Sequence, residues 1–358
     1  MFLQPRQEHF GLDLSDLSLK AVQFKPTLAG KLELTALGKI DLPAGVFNEG
    51  EIKQPDVMVR CLRELIAKPQ IGAFSTSYVV SSLPETKTFI KVIDIPPMSA
   101  DEIPQAVKWE AEHHIPLPID DTYWDWQQVG KNIAPNARQP ILLGVAPRLI
   151  VDNITSILQQ ARLIPIVMEI EAVGITRSLL PLVLPDSEQA TMLIDIGATR
   201  TSLIVVDQGS IQFTVSMPIS GRKITETIGA TLNLDESQAE KAKIVCGLDP
   251  QKCHGAMGQI LYRVMDELIR RMGEATVFYH EHFPQGHEIG EVLLCGGGSN
   301  FKFIDQYLAD KLHLTVQRGN AWRNLEPSPM PLKPSELISY TTAIGLALRD
   351  ITDNSNHD

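Results

Sequence analysis

The chain has 358 residues, enough for two domains, and its hydrophobic content of 44% with a mean hydropathy of −0.01 is ordinary for a globular protein. Its net charge of −11 lacks the basic excess that neutralises phosphates, so we expect no nucleic-acid partner. No segment reaches the roughly 20 apolar residues of a membrane-spanning helix, and the first residues do not resemble a signal peptide.

The first part of the chain is predicted to form strands joined by hairpin turns. The sequence GLDLSDLSLKA at 11–21 places Asp13 between apolar residues, just before a tight polar turn and a second apolar run. Further strands are expected over 31–43 and 75–84. Residues 54–68 carry apolar side chains at helical spacing behind a proline and predict a helix.

The middle of the chain, residues 86–164, is predicted to be an inserted module. Its order is a strand, a helix that begins at a Ser99 cap, two strands and a second amphipathic helix. We expect this module to be self-contained, because the hairpin pattern of the first part resumes only after it.

The second half repeats the hairpin pattern and then becomes mainly helical. A strand running into a helix over 164–180 precedes LIDIGATRTSL at 193–203, the second hairpin, in which Asp195 enters the turn. Helices are expected over 223–234, 235–248, 258–283 and 336–349, with a strand, a glycine turn and a helix over 291–312.

The two hairpins carry the chemistry of the sequence. Such a turn offers backbone N–H groups and hydroxyls to a phosphate, and its aspartate can hold a hydrated cation. One hairpin in each half of the chain could therefore clamp one nucleotide. A single copy would be weak support, because Asp-Gly turns are common in hairpins.

Three further motifs have both a functional and a structural interpretation. Gly296, Gly297 and Gly298 follow an apolar strand and could let the backbone approach a ligand, although a plain turn needs one or two glycines. Glu240 and Lys243 lie on one helix face, a spacing that is usually a solvent-exposed ion pair. Gly345 lies inside a predicted helix at a cost of about 1 kcal/mol, which indicates close packing or a hinge.

Cysteine and histidine spacing argues against a zinc site. The four cysteines form no CxxC pair and are predicted to be reduced thiols. The histidines of HEHFPQGHE at 280–288 lack a supporting ligand cluster and predict a surface loop.

The order of these motifs resembles the actin-like ATPase superfamily and, within it, the PilM family of type IV pilus assembly proteins, which is related to FtsA. The runs that carry the resemblance are WEAEHHIPLPID at 109–120, LIDIGATRTSLIVV at 193–206, AEKAK at 239–243, LLCGGGSNF at 293–301 and AIGLALR at 343–349. The resemblance implies an α/β actin-like ATPase fold of two RNase H-like domains with an inserted small α+β subdomain of the 1C/SHS2 type.

The implied division is subdomain 1A at 1–85, 165–190 and 335–350, 1C at 86–164, 2A at 191–235 and 290–334, 2B at 236–289, and a disordered tail at 351–358. The resemblance also implies ATP and Mg²⁺ as cofactors. Asp13 and Asp195 would hold the metal through water, and Glu171 would lie near an attacking water as the catalytic residue. The remaining implied nucleotide contacts are Ser15, Ser18, Lys20, Gly197, Thr199, Thr201, Glu240, Lys243, Gly296, Gly297 and Gly298.

One residue departs from the family pattern. Members of the family usually have Gly-Ser-Ser after the first Asp-apolar pair, where this chain has Ser15, Asp16 and Leu17, so Asp16 adds a carboxylate to the turn. If it pointed inward it would repel a phosphate by about 4 kcal/mol at roughly 4 Å and an effective dielectric near 20. Binding is therefore a firmer expectation than efficient hydrolysis, and any ATPase activity is expected to be weak.

The function that the resemblance implies is a cytoplasmic ATP-binding component of the type IV pilus machine at the inner membrane. It would dock the N-terminal cytoplasmic peptide of a PilN-like membrane protein in a groove beside the inserted module, and further pilus components or a second copy are possible partners. The alternatives are an FtsA-like division protein, disfavoured by the polar end DITDNSNHD, and a small-molecule kinase, disfavoured by the inserted module and the altered first turn.

Overall fold

The chain forms two compact units in the computed structural model, which describes residues 8–27, 31–99, 101–115, 118–129, 138–182, 188–249, 251–252, 254–325 and 329–349. Unit 1 comprises Met1–Pro185 and Asn320–Asp358, and unit 2 comprises Asp186–Gly319. The described residues 320–325 and 329–334, assigned to 2A from the sequence, fall in unit 1, where the Asn324 amide donates to the Leu180 carbonyl at 2.8 Å. The finer division into subdomains stays a prediction, and the tail at 351–358 lies outside the described residues.

Unit 1 is built on a mixed sheet. In chain order its elements up to residue 182 are β1 (Phe10–Ser15), β2 (Ser18–Pro26), β3 (Leu32–Asp41), β4 (Phe47–Asn48), β5 (Glu51–Ile52), α1 (Pro55–Ala67), β6 (Ile71–Gly72), β7 (Tyr78–Leu83), β8 (Phe89–Ile95), α2 (Ile103–His114), β9 (Thr122–Gln128), β10 (Gln139–Pro147), α3 (Arg148–Gln160), β11 (Ile164–Ile170) and α4 (Glu171–Leu179). The main sheet has the order β11-β7-β1-β2-β3-β6, in which β1, β7 and β11 are parallel. Their carboxyl ends therefore lie at one edge of the sheet.

The core of the main sheet includes both α1 and α3. The apolar faces of these helices, around Leu62 and Ile154, are buried in one cluster with Leu12 and Leu19 of the first hairpin. The helix predicted to close the inserted module thus packs on the main sheet instead. The module's own core is smaller and joins β8, α2, β9 and β10, with Val107 fully buried at its centre.

The helix α2 begins later than expected. Ser99 was predicted to cap it, but the Ser99 hydroxyl donates to the Glu102 carboxylate at 2.7 Å in a turn that precedes the helix. The helix starts at Ile103 with Pro104 in its first turn, where a missing N–H costs no hydrogen bond.

Unit 2 contains β12 (Ala190–Ile196), β13 (Thr201–Asp207), β14 (Ser210–Met217), α5 (Gly221–Leu232), α6 (Glu236–Cys246), α7 (Gly255–His282), β15 (Ile289–Cys295), α8 (Ile304–Leu312) and β16 (Thr315–Arg318). Its strands have the order β16-β15-β12-β13-β14, with β12 parallel to β15 and antiparallel to β13. Its core packs Met192 and Leu203 of the sheet against Ile228 of α5 and Leu268 of α7. Among the described residues, no helix combines the length and apolarity needed to cross a bilayer.

The helix predicted over 336–349 is divided into α9 (Pro334–Leu337), a 3₁₀ turn (Ile338–Tyr340) and α10 (Thr341–Ala347). It returns to unit 1, where α10 lies against β1 and α4 at three glycines. A Cβ on Gly345 would lie 1.7 Å from the Gly174 carbonyl oxygen, and one on Gly11 would lie 2.3 Å from the Ala343 oxygen. Gly345 is therefore explained by close packing inside unit 1.

Candidate functional site

The first hairpin holds its aspartate within a small polar cluster. Ser15 pairs with Ser18 across a two-residue turn, which places Asp13 directly opposite Lys20. The Lys20 ammonium lies 2.9 Å from Asp13 Oδ2, and the Ser15 hydroxyl donates to the same carboxylate at 3.0 Å. Asp13 and Lys20 are both buried, so the ion pair compensates a carboxylate that would otherwise be costly to bury.

The turn of this hairpin is less enclosed than its strands. Asp16 is half-buried in the turn, whereas Ser18 at the start of β2 is buried. Ser82, which the sequence did not single out, accepts a hydrogen bond from the Leu14 N–H at 2.9 Å. This bond from β7 fixes the end of β1 just before the turn.

Glu171 lies at the same edge of the sheet as the first hairpin turn. It is half-buried and begins α4 directly after β11, whose carboxyl end lies beside that of β7. Since β7 separates β11 from β1, two interstrand spacings of about 4.8 Å each lie between Glu171 and the hairpin. The catalytic role of Glu171 near an attacking water stays a prediction.

The second hairpin places Asp195 at the end of β12, in register with Cys295 of β15. The buried Cys295 thiol hydrogen-bonds to this carboxylate, and burial together with the charge of Asp195 raises the pKa of the thiol well above its usual range. The turn is closed by the Gly197 N–H, which donates to the Arg200 carbonyl at 2.8 Å. A Cβ on Gly197 would lie only 2.7 Å from the Arg200 carbonyl oxygen, which explains why this position is a glycine.

The two threonines of this turn have different surroundings. Thr201 is fully buried and its hydroxyl donates to the Ile219 carbonyl at 2.8 Å, so it could donate to a phosphate only if that bond broke. Thr199 is half-buried in the turn itself. The Gly197 and Ala198 carbonyls accept hydrogen bonds from the first N–H groups of α5 at 3.2 and 3.0 Å, which anchors the turn to that helix.

The three glycines after β15 have separate physical reasons. Gly296 has a φ of 75°, and a Cβ there would lie 2.1 Å from Asp195 Oδ1. A Cβ on Gly298 would lie 2.2 Å from the Ile196 side chain. Close packing against the second hairpin thus accounts for both, while Gly297 has nothing within 4 Å of its added Cβ and is the position open to a ligand.

The pair Glu240 and Lys243 is not the solvent-exposed pair that its spacing usually indicates. The Lys243 side chain is only 8% exposed, and its ammonium lies 2.6 Å from the Glu240 carboxylate, which is 45% exposed. Thr225 of α5 joins the pair by hydrogen bonds to both residues. The sequence offered no signal for Thr225, because it lies outside the motif and on another helix.

Each unit thus brings together part of the predicted set. In unit 1, Asp13, Ser15 and Lys20 form one cluster. In unit 2, Asp195 lies against Gly296, and Gly197 binds the start of α5, whose first carbonyl accepts from Lys243. Among the described residues, no group of three or more acidic, histidine or cysteine side chains lies together in a way that could hold a metal ion.

Sequence comparison identifies relatives of this chain in pilus assembly and cell division. The family model described as Type IV pilus assembly protein PilM matches residues 11–351. The cell division protein FtsA of Buchnera aphidicola subsp. Schizaphis graminum (strain Sg) is 27% identical over 259 residues, or 66% of this chain, and its counterpart from subsp. Acyrthosiphon pisum (strain APS) is 28% identical over 223 residues, or 56%. The chain spans 60% and 52% of the lengths of these two relatives.

Solved structures share the fold over nearly the whole chain. The PilM-PilN type IV pilus biogenesis complex matches with a TM-score of 0.82 at 24% identity, covering 97% of this chain and 99% of that one. MreB5 of Spiroplasma citri bound to AMPPNP matches with a TM-score of 0.56 at 11% identity, covering 99% and 98%. The predicted actin-like ATPase fold is confirmed. Because the family model spans nearly the full sequence, the chain belongs to the PilM family of type IV pilus assembly proteins.

Proposed function

We propose that this protein is a nucleotide-binding component of the type IV pilus assembly machine and that its ligand is ATP with Mg²⁺. The observation that carries the proposal is the Asp13–Lys20–Ser15 cluster at the first hairpin, with a second aspartate, Asp195, at the hairpin of unit 2. The match to MreB5, a protein solved with AMPPNP bound, supports a nucleotide as the ligand class.

The residues at the hairpins fit a hydrated magnesium ion. A carboxylate has about four acceptor positions, and Asp13 uses part of them for Lys20 and Ser15, which leaves capacity for a metal-bound water. Mg²⁺ keeps several waters and binds through one or two carboxylates together with phosphate oxygens. The bound ion would supply charge neutralisation at the phosphates, while Lys20 and the hairpin N–H groups would orient them.

Hydrolysis is a separate proposal that depends on Glu171. We propose that its carboxylate orients a water at the sheet edge that also carries Asp13. Glu171 begins α4, and an acidic side chain in the first turn is favoured by the helix dipole. The proposal requires that Glu171→Gln abolish any ATPase activity while leaving ATP affinity nearly unchanged.

The proposed partner is the N-terminal cytoplasmic peptide of a PilN-like membrane protein, which would hold this chain at the inner membrane. Support comes from the fold shared with the PilM-PilN complex. We propose docking where the inserted module meets the main sheet. There the Arg148 guanidinium lies 4.4 Å from the centre of the Tyr123 ring, Tyr123 donates to Asp152, and Leu149 is 79% exposed.

Calorimetric titration tests the nucleotide proposal. Wild-type protein should bind Mg-ATP and a non-hydrolysable analogue in the micromolar range, and Asp13→Asn and Asp195→Asn should each weaken both by at least tenfold. Asp41→Asn, which removes an exposed carboxylate on β3, is the matched control and should bind as wild type. No binding by the wild type would refute the proposal.

Titration with the PilN-like peptide tests the partner separately. Leu149→Asp and Tyr123→Ala should weaken peptide binding while Mg-ATP affinity stays unchanged, and Ile244→Asp is the matched control, because Ile244 is exposed on α6 of unit 2. The same titration in the presence and absence of ATP measures whether nucleotide alters partner affinity. Peptide binding unaffected by both unit 1 variants would refute the proposed location.

A further inference from the structure

A row of polar side chains crosses the sheet of unit 2 at the second hairpin. Asp195 of β12 lies in register with Cys295 of β15 on one side and with Ser202 of β13 on the other. Residues in direct register project from the same face of a sheet. The neighbours of Asp195 along β12, Ile194 and Ile196, belong to the apolar core formed with α5 and α7. The polar row therefore lies on the other face of the sheet.

The thiol of Cys295 binds the Asp195 carboxylate and is enclosed by the protein. Cys295 is 0% exposed, and its side chain forms a hydrogen bond with Asp195. A carboxylate only accepts hydrogen bonds, so the S–H group is the donor. Because the sulfur is fully buried, Cys295 can influence a ligand only through Asp195.

The next residue along the chain confines the same carboxylate by close packing. Gly296 has a φ of 75°, and a Cβ at this position would lie 2.1 Å from Asp195 Oδ1, so this oxygen lies against the backbone of the turn after β15. Two consecutive residues thus fix the orientation of the carboxylate, Cys295 by a hydrogen bond and Gly296 by contact. In the first hairpin, Asp13 is held instead by the Lys20 ammonium, 2.9 Å away.

The two hairpin aspartates are therefore held by different chemistry. Lys20 brings positive charge to Asp13, whereas a thiol donates a hydrogen bond and adds no charge. Outer-shell hydrogen bonds orient the carboxylates that hold metal ions, and their loss typically costs roughly 10–100-fold in metal affinity. We propose that Cys295 is a positioning residue, whose thiol holds Asp195 in the orientation in which its carboxylate binds the hydrated Mg²⁺. This role rests on the proposed function.

The test is the Mg²⁺ dependence of ATP binding, measured as the ratio of the dissociation constants in EDTA and in Mg²⁺ on the same sample. The ratio is independent of the folded fraction, so a partly unfolded variant remains informative. We expect Mg²⁺ to strengthen ATP binding by the wild type. Cys295→Ala should reduce this enhancement severalfold, less than most outer-shell losses because S–H is a weak donor. Cys295→Ser keeps a donor and should retain most of the enhancement.

A double-mutant cycle tests whether Cys295 acts through Asp195. Asp195→Ala alone should reduce the Mg²⁺ enhancement, and adding Cys295→Ala should reduce it no further, because the carboxylate that the thiol positions is already absent. A purely structural role of the thiol would lower stability in both backgrounds and leave the ratio unchanged. Cys61→Ala is the matched control, because it removes a buried thiol from α1 in the core of unit 1 and should keep the wild-type ratio.

The outcomes separate the positioning role from the proposed function. A Cys295→Ala variant with the wild-type ratio, or equal losses in Cys295→Ala and Cys295→Ser, would overturn the positioning role and leave the proposed function intact. A further reduction by Cys295→Ala in the Asp195→Ala background would show that the thiol does not act through the carboxylate and would overturn the role too. A wild type that binds ATP equally with and without Mg²⁺ would overturn the role together with the proposed metal. A wild type that binds no ATP would overturn the proposed function itself.

Discussion

Replacing Gly345 by alanine tests the packing of the last helix in unit 1. The added Cβ would lie 1.7 Å from the Gly174 carbonyl oxygen and 2.9 Å from its Cα, so two backbones must separate by more than 1 Å. Helix α10 cannot move away from Gly174 without approaching β1, because the Ala343 carbonyl oxygen of α10 lies only 2.3 Å from where a Cβ on Gly11 would be. Overpacking typically costs 1–3 kcal/mol, and a backbone clash lies at the upper end, whereas alanine gains about 1 kcal/mol of helix propensity. We expect a net loss of about 2 kcal/mol or more.

Urea unfolding monitored by hydrogen exchange on α10 and α4 is the appropriate assay, because it reports unit 1 separately from unit 2. The matched control is Gly273→Ala in α7, where nothing lies within 4 Å of the added Cβ and a gain of up to about 1 kcal/mol is expected. Gly174→Ala, with its nearest contact at 3.1 Å, should be intermediate. Gly345→Ala at or above wild-type stability would refute the close helix contact.

Four other substitutions test buried polar interactions and the glycine turn after β15. Burial would raise the pKa of Glu169, but its ion pairs with Arg177 and Arg349 outweigh that effect and hold the pKa below its ordinary 4.5. Its contribution to stability is therefore complete above about pH 4.5 and is lost as the pH falls through the folded pKa. Glu169→Gln should therefore lose about 3–5 kcal/mol at pH 7 and show a flatter acid-unfolding profile by circular dichroism. Gly296→Ala should reduce thermal stability, while Gly297→Ala should unfold as wild type yet bind Mg-ATP more weakly in calorimetry. Tyr279→Phe removes a buried hydrogen bond of 2.6 Å to Asp207 and should cost about 1–3 kcal/mol in urea unfolding.

The local elements were predictable because their signals are local. Both hairpins follow from alternation around a polar turn, and α1 follows from apolar residues at helical spacing behind Pro55. The start of α2 could not be predicted, because the Ser99 hydroxyl can either cap a helix or bind the Glu102 carboxylate in a turn. In the structure it binds Glu102. The balance between a helix cap and a turn depends on a few hydrogen bonds, and the sequence pattern is the same for both.

Tertiary partners were harder to predict than elements. The amphipathic pattern of α3 shows that one face is buried, but it does not say against which sheet, and Ile154 packs on the main core. Similarly, the three-residue spacing of Glu240 and Lys243 is the same for a fully exposed pair and for a pair whose lysine is buried. What distinguishes them is Thr225 and the start of α5, which only the fold brings to the pair.

The glycine motifs show how a ligand-binding pattern and a packing pattern overlap in this fold. Gly296 and Gly298 lie against Asp195 and Ile196. Because neither glycine has a side chain, the turn after β15 can pack closely on the end of β12. That contact also constrains the Asp195 carboxylate, which Cys295 binds from the neighbouring strand. Close packing and ligand binding are therefore not alternatives at this turn, because the packing glycines hold in place the aspartate that the proposed nucleotide site requires.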